Sequence, residues 1–157
     1  NVTGVQTCAL PISQRYTRDH GLWVHFPFIN RYFPSVSRVF ILVVPSYRLY
    51  HSGWIADQIA QFHGNTLLIG SVDFSHYKSE DIADQNDQIS LGLLSQTGEI
   101  ERLRNLDVDC PACLGVLDTL AQRQGQYIHQ RLRDSSSTIL GKDMKEENTS
   151  RQFLWRE

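Results

Sequence analysis

Asp73 and His76 stand three positions apart at the end of the apolar run Thr66-Leu67-Leu68-Ile69-Gly70-Ser71-Val72, and they are the residues best suited to chemistry. An imidazole that titrates near neutral pH can give or take a proton, and a carboxylate beside it can orient the ring or bond a substrate. In open α/β sheets, ligands bind beyond the carboxyl ends of parallel strands, and a strand over 66–72 puts this pair there. The same two residue types also cap turns by bonding the backbone, so turn chemistry stands beside function as a reading. His20 is a third candidate, on the helical face of Val24, with a helix-terminal His partnered by Asp19 as the alternative. His25 follows at an i,i+5 offset that turns its side chain in a different direction. Tyr77 either donates a phenolic hydrogen bond in a pocket or is a core aromatic with its hydroxyl at the rim.

Helices and strands must position these groups. Arg38-Val39-Phe40-Ile41-Leu42-Val43-Val44 is β-branched, nearly all apolar and bounded by Pro45, as expected of a strand buried on both faces. Ser52 precedes an apolar periodicity that Gly64 stops, which predicts a helix over 53–63 and a return to the strand 66–72. Strand, helix and strand in this order make a βαβ unit with a right-handed crossover and parallel strands. The segment 20–32 reads as a short helix interrupted around Pro27. Ser79, Glu80 and Asp81 open another helix, with Ile82, Ile89 and Leu93 as its apolar face and an end near Gln96. Pro111 begins one more, with Leu114, Leu117, Leu120 and Ala121 as its buried stripe and Gly125 as its stop. Two strands are expected at 126–133 and 150–155, with loop chemistry in the DSSS, GKD and KEEN stretches between them.

Composition narrows the function classes. Fifteen Lys and Arg against 17 Asp and Glu, with no basic block, leave no electrostatic footprint for nucleic acid or an anionic membrane. No apolar run approaches the roughly 20 residues that span a bilayer. Three Cys, at positions 8, 110 and 113, make an odd and sparse set that fits a reducing, cytoplasmic setting. Residues 1–13, NVTGVQTCALPIS, lack periodicity and resemble the translated read-through of a sequencing adapter found in metagenomic data, so they are excluded from fold reasoning. The genuine chain is then expected to begin near Gln14 as a fragment of something longer, with 14–157 the carboxyl-terminal part of a single domain. Met144 is the sole Met, which agrees with a missing amino-terminal portion.

Taken in order, DHGLWVHFPF, VFILVVPS, TLLIGSVDFSHY, LDVDCPACLGVL, LRDSSS and ENTSRQFLW resemble the Memo-like family, known in bacteria as AmmeMemoRadiSam system protein B. The resemblance runs over residues 19–156 and covers the carboxyl-terminal half or somewhat more of that family. SVDFSHY follows the family's Ser-Ser-Asp-Phe-Ser-His-Tyr with Val72 in place of a Ser, and Gly21 stands where Ser is usual. The resemblance implies an α/β fold of the class III extradiol dioxygenase type, with a mixed sheet, a βαβ crossover and flanking helices. It implies a nonhaem metal pocket of redox or oxygen-using character, holding iron, copper or another divalent metal, to which Asp73, His76 and His20 belong. The family's two principal ligand histidines lie in amino-terminal motifs that this sequence does not contain. Pro111 aligns with the Pro of the family's Cys-Gly-x-x-Pro motif and puts Asp107 at the position of the Cys, a third ligand. Asp shifts metal preference away from soft, thiolate-loving ions. A radical-SAM enzyme and an AMMECR-type protein are the partners that the family name implies.

Cys110 and Cys113 form a CPAC pair, a pattern that can signal metal or redox chemistry. It is read here as a helix start with two small apolar side chains, because one CxxC without a second ligand pair is a weak zinc signal. Two further functions stay open. An Asp-x-x-His pair after a strand also resembles the acid and base of a hydrolase, although no Gly-x-Ser-x-Gly nucleophile block is present. A non-catalytic interaction scaffold on the same fold is the other.

Overall fold

The computed structural model describes residues 19–36, 39, 41–42, 44, 48–62, 66–126, 128–141, 144 and 148–156. Residues 1–13, Gly64 and Asn65, together with 38, 40 and 43 of the expected first strand, lie outside them. The chain divides into two compact units, Asn1–Val43 and Val44–Glu157. In the first, α1 (His20–Trp23) and α2 (Phe26–Tyr32) are separated by a break, with Pro27 in the first turn of α2. A proline fits there because the first helical N–H groups have no intrahelical partner.

The second unit mixes four helices with three strands among the described residues. A 3-10 turn, Leu49–His51, runs straight into α3 (Ser52–Ala60), which packs Ile55 and Ala56 against Val116 and Leu120 of α5 (Pro111–Arg123). Gly115 permits this close approach, since a Cβ there would lie 2.6 Å from Ser52 Oγ. Ser52 Oγ donates to the Ala112 carbonyl across the same seam at 3.2 Å. Pro111 opens α5 and Gly125, at φ 65°, ends its path, as the sequence predicts. A second cluster joins Leu49, Phe74, Leu94, Leu103, Leu106 and Leu114, and holds the connecting segments in place.

The sheet differs from expectation. β1 (His76–Lys78), β2 (Ile128–Ser135) and β3 (Asn148–Arg156) form an antiparallel sheet in the order β1-β3-β2. The two carboxyl-terminal strands are where the sequence puts them, while of the expected βαβ unit the first strand, 38–44, falls partly outside the described residues. Residues 66–72 run without a ladder, and 39, 41, 42 and 44 are not in a strand either. Apolar β-branched composition makes a strand only where a neighbour satisfies its backbone. In 66–72 the apolar side chains instead divide, with Leu68 and Val72 packed on the two clusters while Leu67 and Ile69 are exposed.

α4 (Glu80–Leu94) begins after Ser79, with Glu80 and Asp81 favourably placed at its positive end. Its buried face corrects the apolar reading: Ala83, Asp87, Ser90 and Leu94 point inward, while Ile82 and Ile89 are exposed. One residue step turns a helix by about 100°, and that turn puts Ser90 inside, where its Oγ accepts the Asp107 N–H at 3.0 Å. The expected loop after β2 contains α6 (Ser136–Leu140), capped by Ser135 Oγ accepting the Thr138 N–H and closed by Gly141 at φ 63°. The same Ser135 hydroxyl meets the Glu80 carboxylate at 2.8 and 2.9 Å, tying the end of β2 to the start of α4.

Candidate functional site

Two segments more than thirty residues apart meet at an isolated antiparallel bridge between Phe74 and Val108. Phe74 is 2% exposed and anchors its segment in the larger core cluster, so its polar neighbours are pinned at the rim. Asp109 N donates to the Asp73 carbonyl at 3.0 Å, and Asp73 N donates to Asp109 Oδ1 at 3.0 Å. This reciprocal clamp puts the Asp73 and Asp109 carboxylates on one edge. Loss of hydration raises the Asp109 carboxyl above its ordinary value, and the negative charge of Asp73 adds to that, against the backbone hydrogen bonds and the charge of His76.

His76 sits beside them on β1. Its Nδ1 lies 3.3 Å from the Phe74 carbonyl, and with the proton on Nδ1 that contact is a hydrogen bond that leaves Nε2 as the ring's other polar atom. Tyr77 packs edge-on against the His76 ring with centroids 4.9 Å apart. Its φ of 58° is left-handed, at the irregularity in the pairing of β1 with β3 between His76 and Lys78. A bulky residue in this region costs free energy and is held there by its surroundings. Beyond this irregularity Lys78, the residue after Tyr77, reaches across to Asp107.

Asp107 is the hub of the arrangement. Its Oδ2 accepts from Ser75 Oγ at 2.8 Å, Lys78 Nζ at 2.5 Å and Asn86 Nδ2 at 2.9 Å. Burial works against the charged form, but the hydrogen bonds from Lys78, Ser75 and Asn86 and the Lys78 charge outweigh it and hold the carboxyl below its ordinary value. An open cavity of about 260 Å³ lies alongside, lined among others by Lys78, Asn86, Ile89, Arg104 and Asp107.

Of the residues singled out in the sequence, Asp73, His76 and Asp107 come together in the second unit. His20 opens α1 in the first unit. Ser75, Lys78, Asn86, Ser90 and Asp109 belong to the arrangement and were not singled out. Asp109 carried a visible signal, as the second acid of DVDC, whereas Asn86 and Ser90 look like ordinary helix residues until the fold turns them inward. Cys110 and Cys113 are not two free apolar side chains at a helix start. They are joined by a disulfide.

Comparison of the chain with family models, with curated proteins and with solved structures finds no match.

The donor set bears directly on metal binding. Among the described residues, no group of three or more His, Cys, Asp or Glu side chains converges as a metal site requires. Asp107 spends one oxygen on three donors, one of them a cation, which opposes a second positive charge there. The described residues therefore do not fit a metal ion by themselves. What they do offer is proton handling, from a basic imidazole nitrogen beside a carboxyl whose proton affinity is raised.

Proposed function

We propose that the chain is the carboxyl-terminal part of a Memo-like protein, AmmeMemoRadiSam system protein B, with an α/β pocket of the class III extradiol dioxygenase type. What supports this reading is a single convergence. Of the segments that carry the resemblance, SVDFSHY and LDVDCP meet at the Phe74–Val108 bridge and through the bond from Ser75 to Asp107. The β3 segment pairs beside them, with His76 opposite Thr149, and LRDSSS ties to the same wall through Ser135 and Glu80.

In this reading Asp73, His76 and Asp109 form a proton-handling edge on the segments that the Phe74–Val108 bridge joins, and of the sequence-predicted site residues only Asp107 lines the cavity itself. His76 takes a proton at Nε2, Asp109 holds or releases one at its carboxyl, and the Asp73 charge keeps the Asp109 proton affinity high. Asp107 positions Ser75, Lys78 and Asn86 and contacts no reacting group. Any metal of the family pocket needs ligands from outside the described residues, and no step is assigned to it. The radical-SAM and AMMECR-type partners and a cytoplasmic location belong to the same proposal.

The test is the upstream reading frame of the same gene, followed by metal analysis of the longer protein. Pro-His and Pro-Ser-His segments after strands, with one divalent metal per chain, are the expected result. A nucleophile elbow upstream would replace this reading with the hydrolase, and neither feature would favour the interaction scaffold. Calorimetric titration of the 157-residue chain with ferrous, cupric and zinc ions is expected to show no stoichiometric binding. Tight binding of one ion per chain would refute the account of its donor set.

A further inference from the structure

We propose that Cys110 and Cys113 are a reversible dithiol–disulfide couple that exchanges two electrons with an external dithiol, with Cys113 the sulfur attacked and Cys110 the leaving thiolate. The two residues are bridged, with Cα atoms 5.3 Å apart, at the start of the 13-residue helix α5. A bridge across three positions closes a very short loop and removes little chain entropy from the unfolded state, so it is a poor staple. Its chemistry is the better explanation for it.

The two sulfurs are not equivalent. Cys110 is 8% exposed and its Sγ lies 3.8 Å from the Val44 carbonyl, whereas Cys113 is only half-buried and can be reached from solvent. Cys110 Sγ accepts the Cys113 N–H at 3.2 Å and caps α5, where the unpaired amides and the helix dipole favour negative charge. A thiol whose anion is stabilised in this way leaves faster. The attacking thiolate forms a bond to Cys113 Sγ, the bond between the two sulfurs breaks, and its electron pair goes to Cys110 Sγ, which takes a proton from solvent. The second thiol of the external dithiol then attacks its own sulfur in the mixed disulfide and releases Cys113. The dithiol ends as a disulfide, and the pair has gained two electrons and two protons.

The experiment uses the full chain carrying Cys8→Ser, so that only this pair is read. The folded protein is equilibrated in mixtures of reduced and oxidised dithiothreitol, quenched in acid, alkylated with N-ethylmaleimide and weighed. Species with no adduct or with both cysteines modified, interconverting reversibly without change in circular dichroism, are expected. Reduction that occurs only in denaturant would overturn the proposal. With glutathione disulfide, Cys110→Ser should form the mixed disulfide at Cys113 at least about tenfold faster than Cys113→Ser forms it at Cys110, because burial of the Cys110 sulfur outweighs its larger thiolate fraction. Equal rates or the reverse order would overturn the assignment of roles. The equilibrium titration needs no substitution in the pair, so it decides the couple even if a single variant fails to fold.

Discussion

At the scale of single residues, Asp107 and Asp109 are two carboxyls within three positions whose proton affinities the fold pushes in opposite directions. Asp107 is held below its ordinary value of 3.8, so its contribution is fully present above that pH and is lost as the pH falls through the lowered value. Asp107→Asn is expected to cost about 1 kcal/mol at neutral pH, since solvent screens this partly exposed pair, and the gap should close in acid. Asp109 behaves the other way. Its charge is a cost at neutral pH that disappears as the pH falls through the raised value, so Asp109→Asn should hold or raise stability while its amide oxygen still accepts the Asp73 N–H. Urea unfolding of both variants at neutral and acid pH reads the two signs, and parallel pH trends would contradict this account. Tyr77 gives a backbone counterpart, exposed and left-handed at φ 58°. Tyr77→Val should destabilise by about 1–2 kcal/mol, whereas Tyr77→Gly should stay within about 1 kcal/mol of the parent. Equal losses in thermal melts would mean that the Tyr77 ring, not the backbone, matters.

Between elements, the most buried of the ion pairs among the described residues is one that no motif announced. Arg102, in the 3-10 turn Ile100–Asn105, bonds Asp118 of α5 at 2.6 Å, with side chains only 12% and 4% exposed. The same guanidinium donates to the carbonyls of Leu93, Gly98 and Glu99, and Gln122 donates to the other Asp118 oxygen. One side chain thus satisfies the end of α4 and locks it to α5. Arg102→Ala leaves a nearly buried carboxylate with its cation gone and is expected to cost about 3–5 kcal/mol. Arg102→Met with Asp118→Leu should recover part of that, because the stranded carboxylate is gone while the Leu93, Gly98 and Glu99 carbonyls stay without their donor. Chemical denaturation of the single and double variants checks this; a double variant weaker than the single would count against a desolvation cause.

Over the whole second unit, apolar groups lie where solvent or another surface must meet them. Leu67, Ile69, Ile82 and Ile89 are exposed, and the net charge of -2 supplies little repulsion between copies. Sedimentation velocity is expected to show association that grows with protein concentration and weakens in the variant Ile82→Glu with Ile89→Glu. A parent chain that stays monomeric across the range would show that these side chains are tolerated singly. The same exposure explains the reading of α4: its apolar residues are visible in the sequence, but the face they mark is not the one the core accepts.

Local signals determined the elements whose causes are local. Pro111 and Gly125 bound α5, Ser79 with its acidic first turn opens α4, and the strands expected at 126–133 and 150–155 form and pair as Ile128–Ser135 and Asn148–Arg156, because capping, backbone preference and short-range pairing act within a few residues. Asp73 and His76 were legible as polar groups at the end of an apolar run, and Asp107 only through the family resemblance. Only the tertiary structure decided what they do. Whether 66–72 joins a sheet depends on a neighbour's backbone, and whether Asp107 is free or occupied depends on Lys78, Ser75 and Asn86 arriving from other segments. Burial, hydrogen-bond competition and proton affinity are set by groups distant in sequence, and periodicity does not encode which distant groups will meet.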